Sequence, residues 1–517
     1  MPTRGDLEYL IQTRDADGDV LAPATTTPIG PKRGAKHPRM SPHSNSLHDD
    51  CRATDVSEWA GPSSADPVVH LFQNQASFAG LCPAFAFDAD ERMLTISFSK
   101  GKAHLMAFEP RNLDLIDVAP LPGRSVKVGD LLLHGLGGIF NDTSGGAYFF
   151  VDHAGSVVVP TVRDEIWVVG RDSAGGFGQT TILPVNAALR QRTNDDKLTA
   201  CLPDWEPDAH GSDYYWFTTR EGIVGLASRG QNKVVDTFDL RAQAPAINQD
   251  QEQIQNSFAV GPKGAFIVSS HAMYRFARNG EKIEKVWRSG YCRLDMGKGT
   301  GCPMNEDLNG KAPKKKPGQI DFGSGTTPTL LGDEWVVIGD AERTVQACVY
   351  SQETGELRGR IPLFAGRHSA CENSFIGHGD VVLAGNTYGY IDPFDLFLRS
   401  LRAMRRKEHG YTRLEITPGD GNPKQGWDKP QLEVMSAPPK LSQQTGLVYA
   451  YTMQRKGLLQ RTWSLDGIDF RTGEVVYRVP VFSGRQMAHD NAWGSMTIGP
   501  DKSLFICNWK GFLKIGD

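Results

Sequence analysis

The sequence has no run near the ~18 apolar residues that a membrane-crossing helix needs. Its net charge is small, −4 over 517 residues, so its electrostatics give no reason to expect nucleic acid. No basic stretch followed by an apolar one opens the chain, so no secretory signal is visible; the protein is either cytoplasmic or begins after a removed leader. CxxC and zinc-ligand spacings are missing. So are a GxSxG elbow, a GxxxxGK[ST] phosphate loop and an HExxH helix. "HGLGG" at His134–Gly138 has the shape of an oxyanion loop but no nucleophile elbow to serve. "GDGN" at Gly419–Asn422 is too short for a calcium loop. Long helical patterns are nearly absent as well, which leaves strands to build the core.

What is present begins with an atypical opening. The first ~65 residues are rich in Pro, Thr, Ser and charge, as suits an extended, partly disordered arm that hugs the surface and is dispensable for folding. Eight cysteines follow no metal spacing. Cys292 and Cys302 flank a Gly-rich loop and are expected to pair if the protein is exported. Cys348 and Cys507 lie in apolar runs and read as buried.

Beyond the arm the chain repeats itself. "ACENSFIGHGDVVLAGNTYGY" at Ala370–Tyr390 places a polar pair, a short apolar run, a turn and a second apolar run in succession. "QNSFAVGPKGAFIVSS" and "DNAWGSMTIGPDKSLFIC" do the same. About eight copies exist, at roughly 50–60 residues each. Their second runs include "RMLTISFS", "YYWFTT", "EWVVIGD" and "LVYAYT", all rich in β-branched and aromatic residues. Third and fourth strands follow, such as "AMYRFA" and "KIEKVWR". Four antiparallel strands at that period predict an all-β, eight-bladed β-propeller over residues 66–517. The last unit has only three strands, and "VVHLFQN" at Val68–Asn74 is a spare that would close the ring. Insertions are expected at 289–319 and 391–435. In the second, Phe394, Phe397, Leu401 and Met404 share one helical face, read as a lid helix, with a membrane-surface or partner-binding helix as the alternative.

"SQETGELRG" at Ser351–Gly359 and "DFRTGEVVY" at Asp469–Tyr477 join strands three and four with a Thr-Gly turn. With "SNSLHDD", "QNSFAV", "GSGTTPTLLG" and "ENSFIG", they resemble a group of uncharacterised bacterial quinoprotein-like propellers. The resemblance spans residues 45–517 and implies the fold and a periplasmic or secreted location. The chain departs from the quinoprotein pattern where Tyr477 and Gly359 replace the tryptophan that ends the docking turn, and no adjacent Cys-Cys pair exists. Pyrroloquinoline quinone is therefore not expected as a cofactor.

In a propeller, the start of each first strand lies at one channel mouth. The equivalent positions here are Asn256, Thr326, Thr327, Glu372, Asn373, Ser436, Asp490 and Asn491, with His489 beside them. Glu372, Asn373, Asn256, Asp490 and Asn491 form a candidate set for a hard cation such as Ca²⁺. The same groups suit a polar small molecule, a file of waters, or simple bonds to local backbone. His48, Asp49 and Asp50 in the arm would complete the site if the arm folds over the mouth; a solvated stretch is the alternative. Glu372, His489 and His48 are the candidate acid–base groups. Asp204, Glu206, Asp208 and His210 read as a charged turn, and Tyr388 and Tyr390 as packing residues. Two functions stay open: a small-molecule enzyme, lactonase-like hydrolase or quinoprotein-like oxidoreductase, and a non-catalytic binding propeller. A monomer with a small-molecule partner is expected.

Overall fold

Eight antiparallel sheets surround one axis in the computed structural model. It describes residues 9–10, 18–23, 25–45, 47–73, 80–99, 101–123, 148–189, 196–243, 252–291, 316–319, 323–390, 408–455, 460–484, 489–491, 493–508 and 511–517. The innermost propeller strands of blades one to eight are Phe85–Phe87, Phe150–Asp152, Leu198–Pro203, Ala259–Gly261, Thr329–Leu331, Ile376–His378, Lys440–Ser442 and Met496–Ile498. Each apolar run read from the sequence forms the second strand of its blade, for example Tyr214–Thr219 and Trp335–Gly339. These two strands are buried along their whole length, so their side chains fill the space between neighbouring blades. The outermost strands alternate instead: Lys282–Gly290 exposes Lys282, Glu284 and Val286 and buries Trp287. Helical structure among the described residues is limited to Asn186–Leu189, Leu240–Gln243 and Phe364–Gly366.

The ring closes as the repeat count demands. Blade eight takes three strands from the C-terminus and its fourth, Val68–Gln73, from the N-terminus, in register from Gly511↔Gln73 to Gly516↔Val68. Phe72 stacks on Phe512 at 4.7 Å and meets Phe108 of blade one edge-on at 5.2 Å. Tyr9–Leu10 adds a fifth strand outside it.

The arm differs from its expected place. Met40–Asn45 pairs on the axial side of Phe150–Asp152, and Val56–Ser57 lies parallel to Leu441–Ser442. Between them the backbone runs around the inside of the ring. The carbonyls of Cys51, Arg52, Thr54 and Asp55 accept from the N–H groups of Val260, Leu330, Gly377 and Leu441, on the first strands of blades four, five, six and seven in turn. A polar segment tolerates this burial because the inner strands satisfy its backbone, stepwise, as a sheet neighbour would. Before that, Arg33 pairs with Asp380 and Arg471 donates to the carbonyls of Thr27 and Pro28, so residues 27–33 lie on the face of the strand-one-to-two turns. We call this the turn face and the opposite end, where strand one starts, the mouth face.

Six cysteines, Cys51, Cys82, Cys201, Cys348, Cys371 and Cys507, are buried thiols. Cys292, Cys302, His134–Gly138 and the stretch from Phe394 to Met404 fall outside the described residues.

Candidate functional site

The arm brings a lysine and two carboxylates together inside the channel. Lys440 opens the first strand of blade seven, where other blades carry Phe150, Ala259, Thr329 or Ile376. Its ammonium is fully buried, bonded to Asp55 and to the Leu47 carbonyl, and lies 3.4 Å from Asp49. Burial alone would favour the neutral amine. The charges of Asp55 and then Asp49 override it, and the pKa of Lys440 is raised. Burial likewise penalises the Asp55 carboxylate, but Lys440 and His48 outweigh that and lower its pKa. Asp49 differs: burial dominates and its pKa is raised.

Ser374 Oγ donates to Asp55 Oδ2 and lies 3.0 Å from His48 Nδ1. His48 Nδ1 is also 3.5 Å from Asp55. Serine, histidine and aspartate thus meet, but serine and aspartate share one imidazole nitrogen. A relay needs them on opposite nitrogens, so the group fastens the arm rather than forming a nucleophilic triad. His48 Nε2 is buried without a hydrogen-bond partner among the described residues. Asp50 is saturated: it accepts from the N–H groups of Arg52 and Thr54, from Thr54 Oγ1 and from Lys32 Nζ at 2.8 Å. Four of the twelve non-glycine residues with positive φ among those described, His43, Asp49, Ala53 and Asp55, lie in this short stretch. Such backbone costs about 1–3 kcal/mol per residue and persists where surroundings enforce it.

Of the predicted mouth residues, Ser436 and Asn491 contact each other; Asn256, Thr326 and Asp490 bond to neighbours outside the set. Asn256 Nδ2 donates to Ser324 O at 3.4 Å. Thr326 Oγ1 accepts from Gly339 N at 3.0 Å, which is a local strand contact. Thr327 is buried. Glu372 is half-buried and lies against Gly325 of the neighbouring blade start. Asn373 is 6% exposed, and its Nδ2 has no partner among the described residues. Asn491 is engaged at both ends of its amide, accepting from Ser436 Oγ at 2.7 Å and donating to Gly494 O at 2.8 Å. It holds the loop and is not disposed toward a ligand. Asp490 accepts from the Tyr390 hydroxyl at 2.5 Å, a bond that reaches from blade six to blade eight past blade seven. Tyr390 in turn meets Trp493 edge-on at 5.0 Å. Trp493 has φ 62, a left-handed backbone that bulky residues rarely adopt. His489 stacks on Phe482 at 3.8 Å.

His48 joins the two sets through Ser374, the residue after Asn373. Asp55, Lys440, Ser374 and Tyr390 were missed as site residues by sequence reasoning. A lysine opening an inner strand was the one visible signal. Asp204 accepts from Trp216 Nε1 at 2.7 Å, and Asp208 caps the N–H groups of His210 and Ser212, so that stretch is a structural turn. Asp420 does the same for Asn422 in "GDGN". No group of three or more His, Cys, Asp or Glu among the described residues is arranged to hold a metal ion.

A second feature lies at the turn-face end. Residues 31–43 and 49–58 of the arm enclose a cavity of about 270 Å³. Its floor holds His37, Ser41, Asp49 and Arg52, all buried, and its rim carries exposed Arg33 and Lys36. His43 stacks on Trp59 at 3.8 Å, and burial, then the Lys32 charge, lowers its pKa to about 4.

No protein-family model matches the chain. An uncharacterised protein of Archaeoglobus fulgidus is 23% identical over 321 residues, which is 56% of each chain, so this chain spans little more than half of that relative. Among solved structures, a europium-containing methanol dehydrogenase is similar at TM-score 0.48 and 10% identity, over 90% of this chain and 91% of that one. The WD40 domain of SCAP from fission yeast is similar at TM-score 0.46 and 8% identity, over 85% and 92%. A streptogramin B lyase is similar at TM-score 0.37 and 11% identity, over 87% and 97%. These propellers include enzymes and a WD40 domain, and the likeness says nothing about chemistry here.

Proposed function

We propose that the protein binds and acts on a small polar molecule at the mouth-face end of the channel. The observation that carries the reading is Asn373: its amide nitrogen is buried and unmatched among the described residues, just before the first strand of blade six. Leaving a buried donor unsatisfied costs about 1–3 kcal/mol, so a ligand acceptor is the natural complement. Asp490, oriented by the Tyr390 hydroxyl, and Glu372 would supply acid–base or cation-binding oxygens, and the Tyr390–Trp493 pair an aromatic wall. A hydrolase is the enzyme class these groups fit most directly, since no redox group is needed. Ca²⁺ would use Glu372, Asn373 and Asp490 rather than Asn491, whose amide is already bonded at both ends.

The test is a thermal-shift screen of small metabolites, with Ca²⁺ and with chelator, on wild type and on Glu372→Gln with Asp490→Asn. A ligand or ion should raise the melting temperature of wild type and lose its effect in the double variant, whose fold persists. Equal shifts in both proteins would overturn the reading. A bound compound recovered chemically unchanged after long incubation would make the protein a binding propeller instead of an enzyme.

A further inference from the structure

The turn that leads into blade eight holds a bulky ring where its backbone resists one. Trp493 has φ 62, a left-handed conformation that glycine adopts freely and a bulky residue only at a cost. The turn is pinned on both sides of it. Ser436 Oγ accepts from Trp493 N at 3.1 Å and donates to Asn491 Oδ1 at 2.7 Å. Asn491 Nδ2 donates to Gly494 O, and Gly494 N returns a bond to Asn491 O, both at 2.8 Å. Glycine at this position would make every one of these bonds without strain. What tryptophan adds is its ring, and that residue is only partly buried, so core packing does not account for it.

The surroundings of the ring define a chemistry. Tyr390 stands edge-on to Trp493, with centroids 5.0 Å apart and planes at 80°, so the two rings form a corner. The Tyr390 hydroxyl donates to Asp490 Oδ1 at 2.5 Å, which places a carboxylate at that corner. Asp490 keeps 6% of its surface exposed, and a carboxylate accepts several hydrogen bonds, so the Tyr390 hydroxyl does not exhaust it. His489, the residue before it, is also partly exposed, and Phe482 stacked on it at 3.8 Å fixes its plane.

Flat rings beside acceptor oxygens suit one ligand class best. The negative face of an indole attracts the C–H side of a pyranose, and the hydroxyls on the rim of that sugar need acceptors such as a carboxylate. A nucleotide or other anion would be repelled by Asp490. A methylated ammonium would meet an imidazole able to take a proton, which repels it. We infer that the mouth-face site binds a neutral sugar, its ring stacked on Trp493 and its hydroxyls donating to Asp490. The inference rests on the mouth-face reading above and names the ligand class for it. The left-handed turn then has a use: it fixes the indole before the sugar arrives.

Isothermal titration of the full chain with glucose, galactose, maltose and cellobiose tests this, with glycerol, choline and adenosine monophosphate as controls. Saturable binding of at least one sugar is expected, with a change in tryptophan fluorescence and no binding of the controls. Trp493→Gly should melt close to wild type, because glycine adopts this φ freely, and should weaken sugar binding by about ten-fold or more, as loss of a stacked ring does. Trp493→Leu keeps apolar bulk without a flat face and should lose affinity equally, whereas Trp493→Tyr should retain most of it. No sugar binding, preference for choline or the nucleotide, or unchanged affinity in either Trp493→Gly or Trp493→Leu would overturn the inference. Those results leave the mouth-face reading standing; it fails instead if Glu372→Gln with Asp490→Asn leaves the thermal shifts unaltered.

Discussion

His43 shows how the arm responds to acid. Its pKa is lowered to about 4 by burial and by the Lys32 charge, and that of His37 to about 3 by burial. In the unfolded chain both would titrate near 6.5. The unfolded state therefore binds more protons below that pH, and stability must fall as pH drops from about 6.5 toward 4. Each histidine contributes a slope of up to about 1.4 kcal/mol per pH unit in that window. His43→Gln keeps the polar shape and removes the proton. Denaturation curves at pH 7 and pH 5 should differ less in this variant than in wild type. An identical pH dependence would mean that His43 is not held neutral in the folded protein.

The arm as an element has a use that its composition hid. Removing residues 1–30 leaves the Asp49 and Asp55 contacts of Lys440 and the Lys32–Asp50 pair in place and should cost little. Removing residues 1–58 keeps the closing strand Val68–Gln73 but strips both carboxylates from a fully buried ammonium. Breaking such a pair costs about 3–5 kcal/mol, so the longer truncation should melt well below the shorter one. Lys440→Met in the longer truncation should recover part of the loss. If the two truncations melt together, the arm is not a stabilising part of the ring.

The propeller strands were legible because each carries its own local pattern: a buried run such as Tyr214–Thr219 is apolar whatever surrounds it. The arm was not. "SNSLHDDCRATDVSEW" is as polar as a solvated loop, and its burial depends on bonds to Val260, Leu330, Gly377 and Leu441, hundreds of residues away. The mouth was partly legible. Asn491 and Ser436, read as equivalent blade starts, are hydrogen-bonded to each other, but nothing in the spacing reveals that this bond occupies the Asn491 amide or that Tyr390 reaches Asp490.

At the scale of the whole molecule, stability depends on the seam where the ends of the chain meet. Phe72→Ala would remove a fully buried ring stacked on Phe512 and should destabilise by about 3–5 kcal/mol. Leu357→Ala, on an outer strand with 38% exposure, should change stability by no more than about 0.5 kcal/mol. Chemical denaturation of the two variants compares seam with rim directly. Similar losses would mean that closure adds nothing beyond ordinary burial.

The arm running inside the ring also sets an order of events. It works as an axle, and the blades are the wheel built around it. The wheel is locked when residues 511–516 pair with 68–73, partners about 440 residues apart in the chain. An axle is easily laid in an open wheel and hard to push through a closed one. The segment synthesised early must therefore wait, without seats, until blades four to seven exist to receive it, and must be in place before the final strand arrives. Folding of this chain is timed by its two ends: the first must be captured before the last can close.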